Sequence, residues 1–156
     1  MTPAKPFDPL SLPESNASSY PEPYATSARQ RWNRRLGDHA GLTQFGVNLT
    51  RLEPGGRSSQ RHWHLKEDEF LYLLEGEAVL HTDAGEQVLR PGMCVGFPAG
   101  HQDGHCVLNR SDADVLFLVV GSRMPGEVSE YSDIDMRVAP GPDGVRRFTR
   151  KDGTPY

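Results

Sequence analysis

Three residues of the types that bind transition metals lie within one stretch of eight, and they are His62, His64 and Glu69. In a β-strand the two histidine side chains project from the same face, about 6.6 Å apart along the backbone. The polar segment 65–68 is typical of a four-residue hairpin loop, which would make His64 and Glu69 cross-strand partners with Cβ atoms roughly 5 Å apart. The spacing therefore predicts a patch of two imidazoles and one carboxylate that a single ion can share.

The ligand types indicate which ion such a patch would hold. Neutral imidazole and carboxylate suit Zn, Fe(II), Mn or Ni, so we expect one divalent transition metal per chain. The two cysteines, Cys94 and Cys106, lack the spacing of a closed thiolate site, and both are predicted to be buried thiols. An H-x-H pair alone also fits two histidines that are solvated or packed in a core, and the pattern leaves that alternative open.

Composition and charge narrow the class of protein. A chain of 156 residues is long enough for one domain with a core, and its formal net charge of −4 gives no general attraction to nucleic acid or to anionic membranes. The longest apolar run, residues 115–120, is too short to cross a bilayer and is predicted to be a buried strand. Because the first residues lack a signal-peptide pattern, we expect a cytoplasmic protein with no nucleic-acid or membrane partner.

The chain divides into three segments of one domain. Residues 1–40 are predicted to be a proline-rich extended arm followed by a short helix over 25–36, and residues 123–156 a C-terminal extension with an irregular tail. Residues 41–122 show short β-rich segments separated by turn residues, which indicates an all-β fold, a closed barrel or double-sheet jelly roll. The predicted strands lie near 43–52, 58–64, 69–74, 77–82, 86–90, 93–97, 104–109 and 114–121.

The motif around the histidines resembles the first signature of the cupin family. Gly56-x5-His62-x-His64-x4-Glu69-x6-Gly76 matches that signature at every defined position. The second signature begins with Gly92-x5-Pro98-x-Gly100 and then departs from the family pattern, because Asp103 occupies the histidine position. His105-x3-Asn109 restores the ending two residues later, as a two-residue insertion would. The resemblance covers roughly residues 55–122.

This resemblance implies a fold, a ligand set and a partner. It implies a double-stranded β-helix, or jelly-roll barrel, whose mouth binds a divalent metal through His62, His64, Glu69 and His105. Small bacterial cupins of this type, similar to the cupin 2 group, are sometimes described as presumed sugar-phosphate isomerases. The family also implies a homodimer, and we expect the arm to dock on the partner subunit beside the outward side chains of Phe70, Tyr72 and Leu74.

Strand alternation predicts which side chains surround the ion. Gln60 shares the face of His62, and Leu71 and Leu73 share the face of Glu69, so the predicted pocket is apolar beyond the metal. Val107 faces inward beside His105, whereas Cys106 faces outward into the core. Gln60 could equally be a polar residue of the barrel mouth without a functional role. His101 and Asp103 lie in the inserted turn at the pocket rim, where a surface position is the alternative to a substrate contact.

The segment 29–35 holds the one concentration of basic residues, Arg29, Arg31, Arg34 and Arg35. A phosphate or carboxylate clamp is one interpretation, but the solvated or intersubunit face of a helix is the favoured one.

The predicted metal site leads us to expect a metal-dependent enzyme of the isomerase, lyase or oxygenase class that acts on a small carbonyl, hydroxy-acid or sugar-like substrate. The alternatives are a module that binds or senses a small molecule without turnover, and a structural metal site.

Overall fold

A computed structural model describes residues 5–156 of the chain. It shows a 3₁₀ turn at Pro9–Ser11 and two single-turn helices, α1 (Tyr24–Ser27) and α2 (Leu36–His39). The strands are β1 (Arg31–Arg35), β2 (Phe45–Leu52), β3 (His62–His64), β4 (Glu69–Glu75), β5 (Ala78–Thr82), β6 (Gly85–Leu89), β7 (Cys94–Phe97), β8 (Cys106–Leu108), β9 (Val115–Ser122), β10 (Ser129–Tyr131), β11 (Arg137–Pro140) and β12 (Arg146–Thr149). The predicted all-β jelly-roll class is confirmed.

The strands form three antiparallel sheets that enclose two cores. The five-stranded sheet has the order β1-β2-β9-β4-β7, the four-stranded sheet β12-β11-β10-β3, and the three-stranded sheet β6-β5-β8. The main core joins side chains of the five-stranded and three-stranded sheets, among them Leu73, Leu80 and Phe117. A smaller core around Tyr131 and Met136 joins the four-stranded sheet to the N-terminal arm.

Alternation along β4 fixes the inner and outer faces of the five-stranded sheet. Leu71 and Leu73 are buried, whereas Phe70 and Tyr72 are 43% and 39% exposed. At the end of this strand Gly76 has a φ of 81°, and a Cβ atom there would lie 2.6 Å from the carbonyl oxygen of Asp114. The turn from β4 to β5 therefore requires glycine at this position.

The predicted hairpin between His64 and Glu69 is wrong. Strand β3 pairs with β10, while β4 pairs with β7 and β9, so segment 65–68 crosses from one sheet to another. The acceptor that satisfies the loop backbone is Glu127, whose carboxylate accepts hydrogen bonds from the amides of Leu65 and Lys66. The buried carboxylate of Glu127, which lies outside segment 65–68, therefore stabilises this segment as a connection between two sheets. The local sequence alone predicted a hairpin turn there.

The predicted helix over 25–36 is also wrong for most of its length. Only α1 is helical there, and Arg31–Arg35 forms β1, an edge strand paired with β2 in the register Arg31↔Leu52 to Arg35↔Asn48. In this strand Arg31, Asn33 and Arg35 share one face, and that face lines a cavity of the fold. Pairing with a long neighbouring strand overrides local helix preference.

The two ends of the described chain are more structured than their composition suggested. The C-terminal extension, predicted to be irregular, forms β10, β11 and β12. The arm contacts strands of its own chain: Ser15 bridges Asn33, and Glu14 forms ion pairs of 2.8 Å with Arg34 and with Arg51. Ion pairs and strand-like contacts therefore order a segment that has few apolar side chains.

The two cysteines differ in exposure. Cys106 is buried as predicted, but Cys94 is exposed because it faces outward on β7, so the prediction of two buried thiols is half wrong.

Across residues 5–156, no helix is long and apolar enough to cross a membrane.

Candidate metal centre

His62 and His64 lie on the same face of β3, and each ring is held through its Nδ1 atom. Nδ1 of His62 is 3.0 Å from the carbonyl oxygen of Gln60, and Nδ1 of His64 is 3.2 Å from a carboxylate oxygen of Glu127. Because those oxygens only accept, both Nδ1 atoms are donors. The Nε2 atom of each neutral imidazole then has a free lone pair directed into the cavity.

Glu69 and His105 approach from other parts of the fold. Glu69 begins β4, where it is paired with Gly121 of β9 and Phe97 of β7. His105 immediately precedes β8 and bridges His62 through backbone hydrogen bonds. The ring of His105 stacks on Phe97, with centroids 3.5 Å apart and planes inclined by 5°. Strand pairing and stacking therefore orient both side chains toward β3.

The four side chains converge on one point. Nε2 of His62 lies 3.1 Å from Nε2 of His64, and a Glu69 carboxylate oxygen lies 3.3 Å from Nε2 of His64 and 3.0 Å from Nε2 of His105. Two ligands that each lie about 2.1 Å from a common ion are separated by about 3.0–3.4 Å. His62, Glu69 and His105 also form a group that could hold a metal ion. The donor set fits a divalent transition metal, since facing lone pairs repel without a shared cation.

The surroundings set the protonation states that ligation requires. Burial lowers the pKa of His62 to about 3, and the charge of Glu69 opposes this only in part. Burial alone would raise the pKa of Glu69, but hydrogen bonds from His105 and His64 hold it well below its usual range. Burial would also lower the pKa of His64, yet the hydrogen bond and charge of Glu69, with Glu127, raise it. A neutral His62 beside an ionised Glu69 is the state that binds a cation.

Glu127 is the most important residue near the histidines that the sequence did not reveal. It is only 3% exposed, and its two oxygens accept from His64, Leu65 and Lys66. Glu127 also belongs with His64 and Glu67 to a second group of possible ligands, but its oxygens are already used by these donors. We therefore regard it as a positioning residue for His64. It lies 58 residues beyond Glu69 in a segment without a motif, so no local signal pointed to it.

The candidate ligands form part of the wall of a cavity of about 410 Å³. Leu71, Val107 and Phe117 supply an apolar side of this cavity, next to Glu69 and His105. The polar part of the lining comes largely from the arm, β1 and β2. Its side chains are Tyr20, Arg31, Asn33, Arg35, Asn48, Thr50, Ser58 and Ser59. The cavity thus has an apolar part and a polar part, and only the apolar part follows from the cupin motif.

Only some of the other residues that were predicted to line the pocket do so. Leu71 and Val107 line the cavity, but Leu73 is fully buried in the core beneath it. The Gln60 side chain turns away, since its amide nitrogen donates to Ser27 and its amide oxygen accepts from Arg57. The predicted position of Gln60 in the pocket is therefore corrected, because the chain leaves regular strand geometry before β3.

The residues of the inserted turn lie outside the cavity. His101 is exposed, and Asp103 accepts a hydrogen bond of 2.6 Å from the backbone amide of Asp83. Asp103 thus holds the turn between β5 and β6, while His105 faces Glu69. This arrangement agrees with an insertion in the second signature and leaves His105 as the candidate fourth ligand.

Tyr20 and Arg31 line the cavity although neither residue belongs to a motif. The Tyr20 hydroxyl accepts a hydrogen bond from the Gln60 amide at 3.3 Å, and burial raises its pKa. The favoured interpretation of the basic segment placed Arg31 on a solvated helix face. A strand over residues 31–35 places Arg31, Asn33 and Arg35 on one face, but the sequence of this short segment does not predict a strand.

Comparison with known proteins agrees with this fold. The family model described as the cupin domain matches residues 48–121. The chain is 48% identical to a protein from Silicibacter pomeroyi that is described as a sugar phosphate isomerase from a cupin superfamily. The TM-score is 0.92 over 97% of this chain and 96% of that one. It is 30% identical to a presumed sugar phosphate isomerase from Acidithiobacillus ferrooxidans, with a TM-score of 0.72 over 81% and 80% of the two chains. The chain therefore belongs to the cupin superfamily.

More distant similarity adds only the fold. A polyketide cyclase from Streptomyces resistomycificus is 22% identical, with a TM-score of 0.63 over 76% of this chain and 78% of its own. The comparison with curated proteins gave no match.

Proposed function

We propose that the chain is a mononuclear, divalent-metal-dependent enzyme that acts on a small carbonyl, hydroxy-acid or sugar-like substrate. The observation that carries this proposal is that His62, Glu69 and His105 line an accessible cavity instead of a sealed core. A bound Zn, Fe(II), Mn or Ni ion would supply Lewis-acid polarisation of a substrate oxygen. A purely structural ion gains nothing from facing such a cavity.

The residues of the chain would assist in three ways. Glu127 and the Gln60 carbonyl hold the two histidine rings, so the ligands need no reorganisation when substrate enters. Leu71, Val107 and Phe117 exclude water from one side of the cavity. The buried Tyr20 hydroxyl has a raised pKa, so it stays protonated at neutral pH and can donate a hydrogen bond or a proton to a substrate oxygen.

Isomerisation is the reaction class that we favour among those that a cavity lined by metal ligands allows. Two relatives, at 48% and 30% identity, are described as sugar phosphate isomerases, the second of them as presumed. A sugar-like substrate also suits a cavity with an apolar side and many neutral hydrogen-bonding groups, since sugars present both hydroxyls and C–H faces.

The test is turnover of a substrate panel by the Zn, Fe(II), Mn and Ni forms. The panel contains aldoses, ketoses, their phosphates and 2-hydroxy acids, and product is measured by NMR. We expect at least one metal form to interconvert one substrate pair, and the His62→Ala/His64→Ala variant to lose both metal and turnover. Equal metal content in the variant and the wild type would show that these residues are not the ligands.

The second candidate is a module that binds or senses a small molecule without turnover. One observation favours it: the acidic residues lining the cavity are Glu69, which belongs to the candidate metal centre, and Asp38, which is ion-paired with Arg123. In the described chain, no unpaired carboxylate is thus available in the cavity as a general base. If a panel compound binds at the metal-loaded site but no metal form converts it, this candidate replaces the enzyme.

We also propose that the protein is a homodimer that associates through the outer face of the five-stranded sheet. Phe45, Phe70 and Val120 line a shallow apolar depression on this face, and Tyr72 extends it. Exposed aromatic side chains in one continuous patch are typical of subunit interfaces.

A further inference from the structure

Arg31 is a cation held in the cavity wall without an anion. Its Nη1 atom donates a hydrogen bond of 2.6 Å to the carbonyl oxygen of Ser58, while its Nε atom is buried and has no hydrogen-bond partner. Among residues 5–156, no carboxylate lies within 4.0 Å of its guanidinium group. A neutral carbonyl is thus the only acceptor that the described chain gives to this charge.

The other arginines of the region differ from Arg31. Arg34 is paired with Glu14, and Arg35 and Arg123 both contact Asp38. The fold therefore provides carboxylates for these neighbouring cations and leaves the partly buried Arg31 unpaired. A buried charge without a counter-charge is costly, and guanidinium remains protonated even when buried. Burial lowers the pKa of Arg31, and the groups that oppose this effect are the phenols of Tyr20 and Tyr131, not carboxylates.

Neutral donors surround the guanidinium on the same wall. Thr50 donates a hydrogen bond of 2.8 Å to the amide oxygen of Asn33, so the Asn33 amide nitrogen is left to donate elsewhere. The hydroxyls of Ser58, Ser59 and Tyr20 also line this wall. One unpaired permanent cation together with amide and hydroxyl donors is the arrangement that recognises an oxyanion.

We propose that Arg31 binds an oxyanion group of the ligand, a carboxylate or a phosphate, while another oxygen of the same molecule faces His62, Glu69 and His105. The inference deepens the proposed function and rests on it, because it assigns the substrate class as anionic. Charge balance supports it: Glu69 neutralises only half the charge of a divalent ion, and Arg31 adds a further positive charge. An anionic ligand would neutralise both ends of the cavity.

The experiment is isothermal titration calorimetry of the metal-loaded protein with inorganic phosphate and, separately, with glycolate. Arg31→Gln removes the cation and keeps a polar side chain, while Arg29→Gln is the matched control on an exposed arginine outside the cavity. A charge-assisted contact is worth about 1.5–3 kcal/mol, so we expect affinity to fall roughly tenfold to a hundredfold in Arg31→Gln only. Loss for phosphate alone assigns a phosphoryl group, and loss for glycolate alone assigns a carboxylate.

A second measurement separates ligand binding from a structural role. Because Arg31 is an unpaired and partly buried charge, ligand-free Arg31→Gln should melt at or above the wild-type temperature while losing the upward shift that the bound anion produces. Equal anion affinity in Arg31→Gln and wild type overturns the proposal, as does a variant that unfolds or loses its metal. The proposed function fails separately, when anions bind through Arg31 but no substrate is turned over. Undiminished turnover of a neutral sugar by Arg31→Gln overturns the inference alone.

Discussion

At the scale of single residues, the candidate metal site depends on which ring nitrogen of His62 and of His64 already makes a hydrogen bond. The carbonyl of Gln60 and the carboxylate of Glu127 accept from the Nδ1 atoms, and this leaves both Nε2 atoms for a cation. The sequence motif identifies the histidines but not these acceptors. One acceptor is a backbone atom, and the other lies far along the chain.

Glu127→Gln should weaken metal binding without unfolding the protein. The amide keeps the size of the side chain but removes the charge that orients His64, and loss of such a partner lowers metal affinity about tenfold to a hundredfold. A competition titration with a chelator measures this affinity. Glu130→Gln is the control, since Glu130 contacts Arg137 at a partly exposed position. Equal affinity in both variants would mean that Glu127 does not position the ligand.

His62 should make the metal-free protein sensitive to acid. Its pKa is about 3 in the folded state against a usual value of 6.5, so below pH 6.5 the unfolded chain binds a proton that the folded chain does not. Stability therefore falls as the pH decreases from 6.5, by on the order of 2 kcal/mol at pH 5. His62→Gln should lose less stability than wild type between pH 7 and pH 5 in urea unfolding.

The exposed His101→Gln variant is the control for this measurement and should follow the wild type. The raised pKa of His64 acts in the opposite direction, because its contribution is present at low pH and is lost as the pH rises. A His62→Gln protein with an unchanged pH profile would show that His62 is not buried in its neutral form.

At the scale of elements, sequence reasoning located most strands of the central region because period-two alternation and turn residues agree there. Strands β2, β4, β5, β6, β7 and β9 begin and end within about two residues of the predicted positions. The errors lie where tertiary pairing overrides local signals. Strand β1 has four polar residues out of five, and β3 pairs with β10 from the C-terminal extension. Neither pairing leaves a local trace in the sequence.

The N-terminal arm should loosen when Glu14 loses its charge. Glu14 contacts Arg34 and Arg51 at 2.8 Å, and the hydrogen bond from Arg51, together with the charges of both arginines, lowers its pKa. We expect Glu14→Gln to increase hydrogen exchange in residues 8–20, with an effect of about 1 kcal/mol for a partly exposed pair. Exchange in β4 and β9 should not change. Glu77→Gln, which loses only an exposed contact with Arg90, is the control.

At the scale of the whole molecule, two faces of the five-stranded sheet have different roles. The inner face lines the core and the cavity, whereas the outer face carries the exposed aromatic patch around Phe70 and Tyr72. The fold class followed from the alternation of short strands and turns, and the candidate metal ligands followed from two motifs within residues 56–109. The polar part of the cavity wall did not, because it comes largely from the arm, β1 and β2, which those motifs do not include.

The Phe70→Glu/Tyr72→Glu variant should be monomeric if the proposed dimer forms through the outer face. Charged side chains placed opposite each other in an apolar interface remain desolvated and repel, which costs several kcal/mol. Light scattering at micromolar concentration measures the mass. Val88→Glu is the control, because Val88 is similarly exposed, at 41%, but lies on the three-stranded sheet. A wild-type protein with the mass of one chain would contradict the dimer.

The two parts of the cavity lining come from different stretches of the chain, and this has an evolutionary consequence. Every candidate metal ligand lies between residues 62 and 105, whereas Tyr20 and Arg31 lie before the region that the family model matches. Under the proposed role of Arg31, divergence of the first 40 residues would exchange one ligand preference for another while the barrel and its candidate metal ligands stay the same. Relatives that share only the barrel are poor guides to specificity, and grafting a foreign N-terminal segment is a direct way to redesign it.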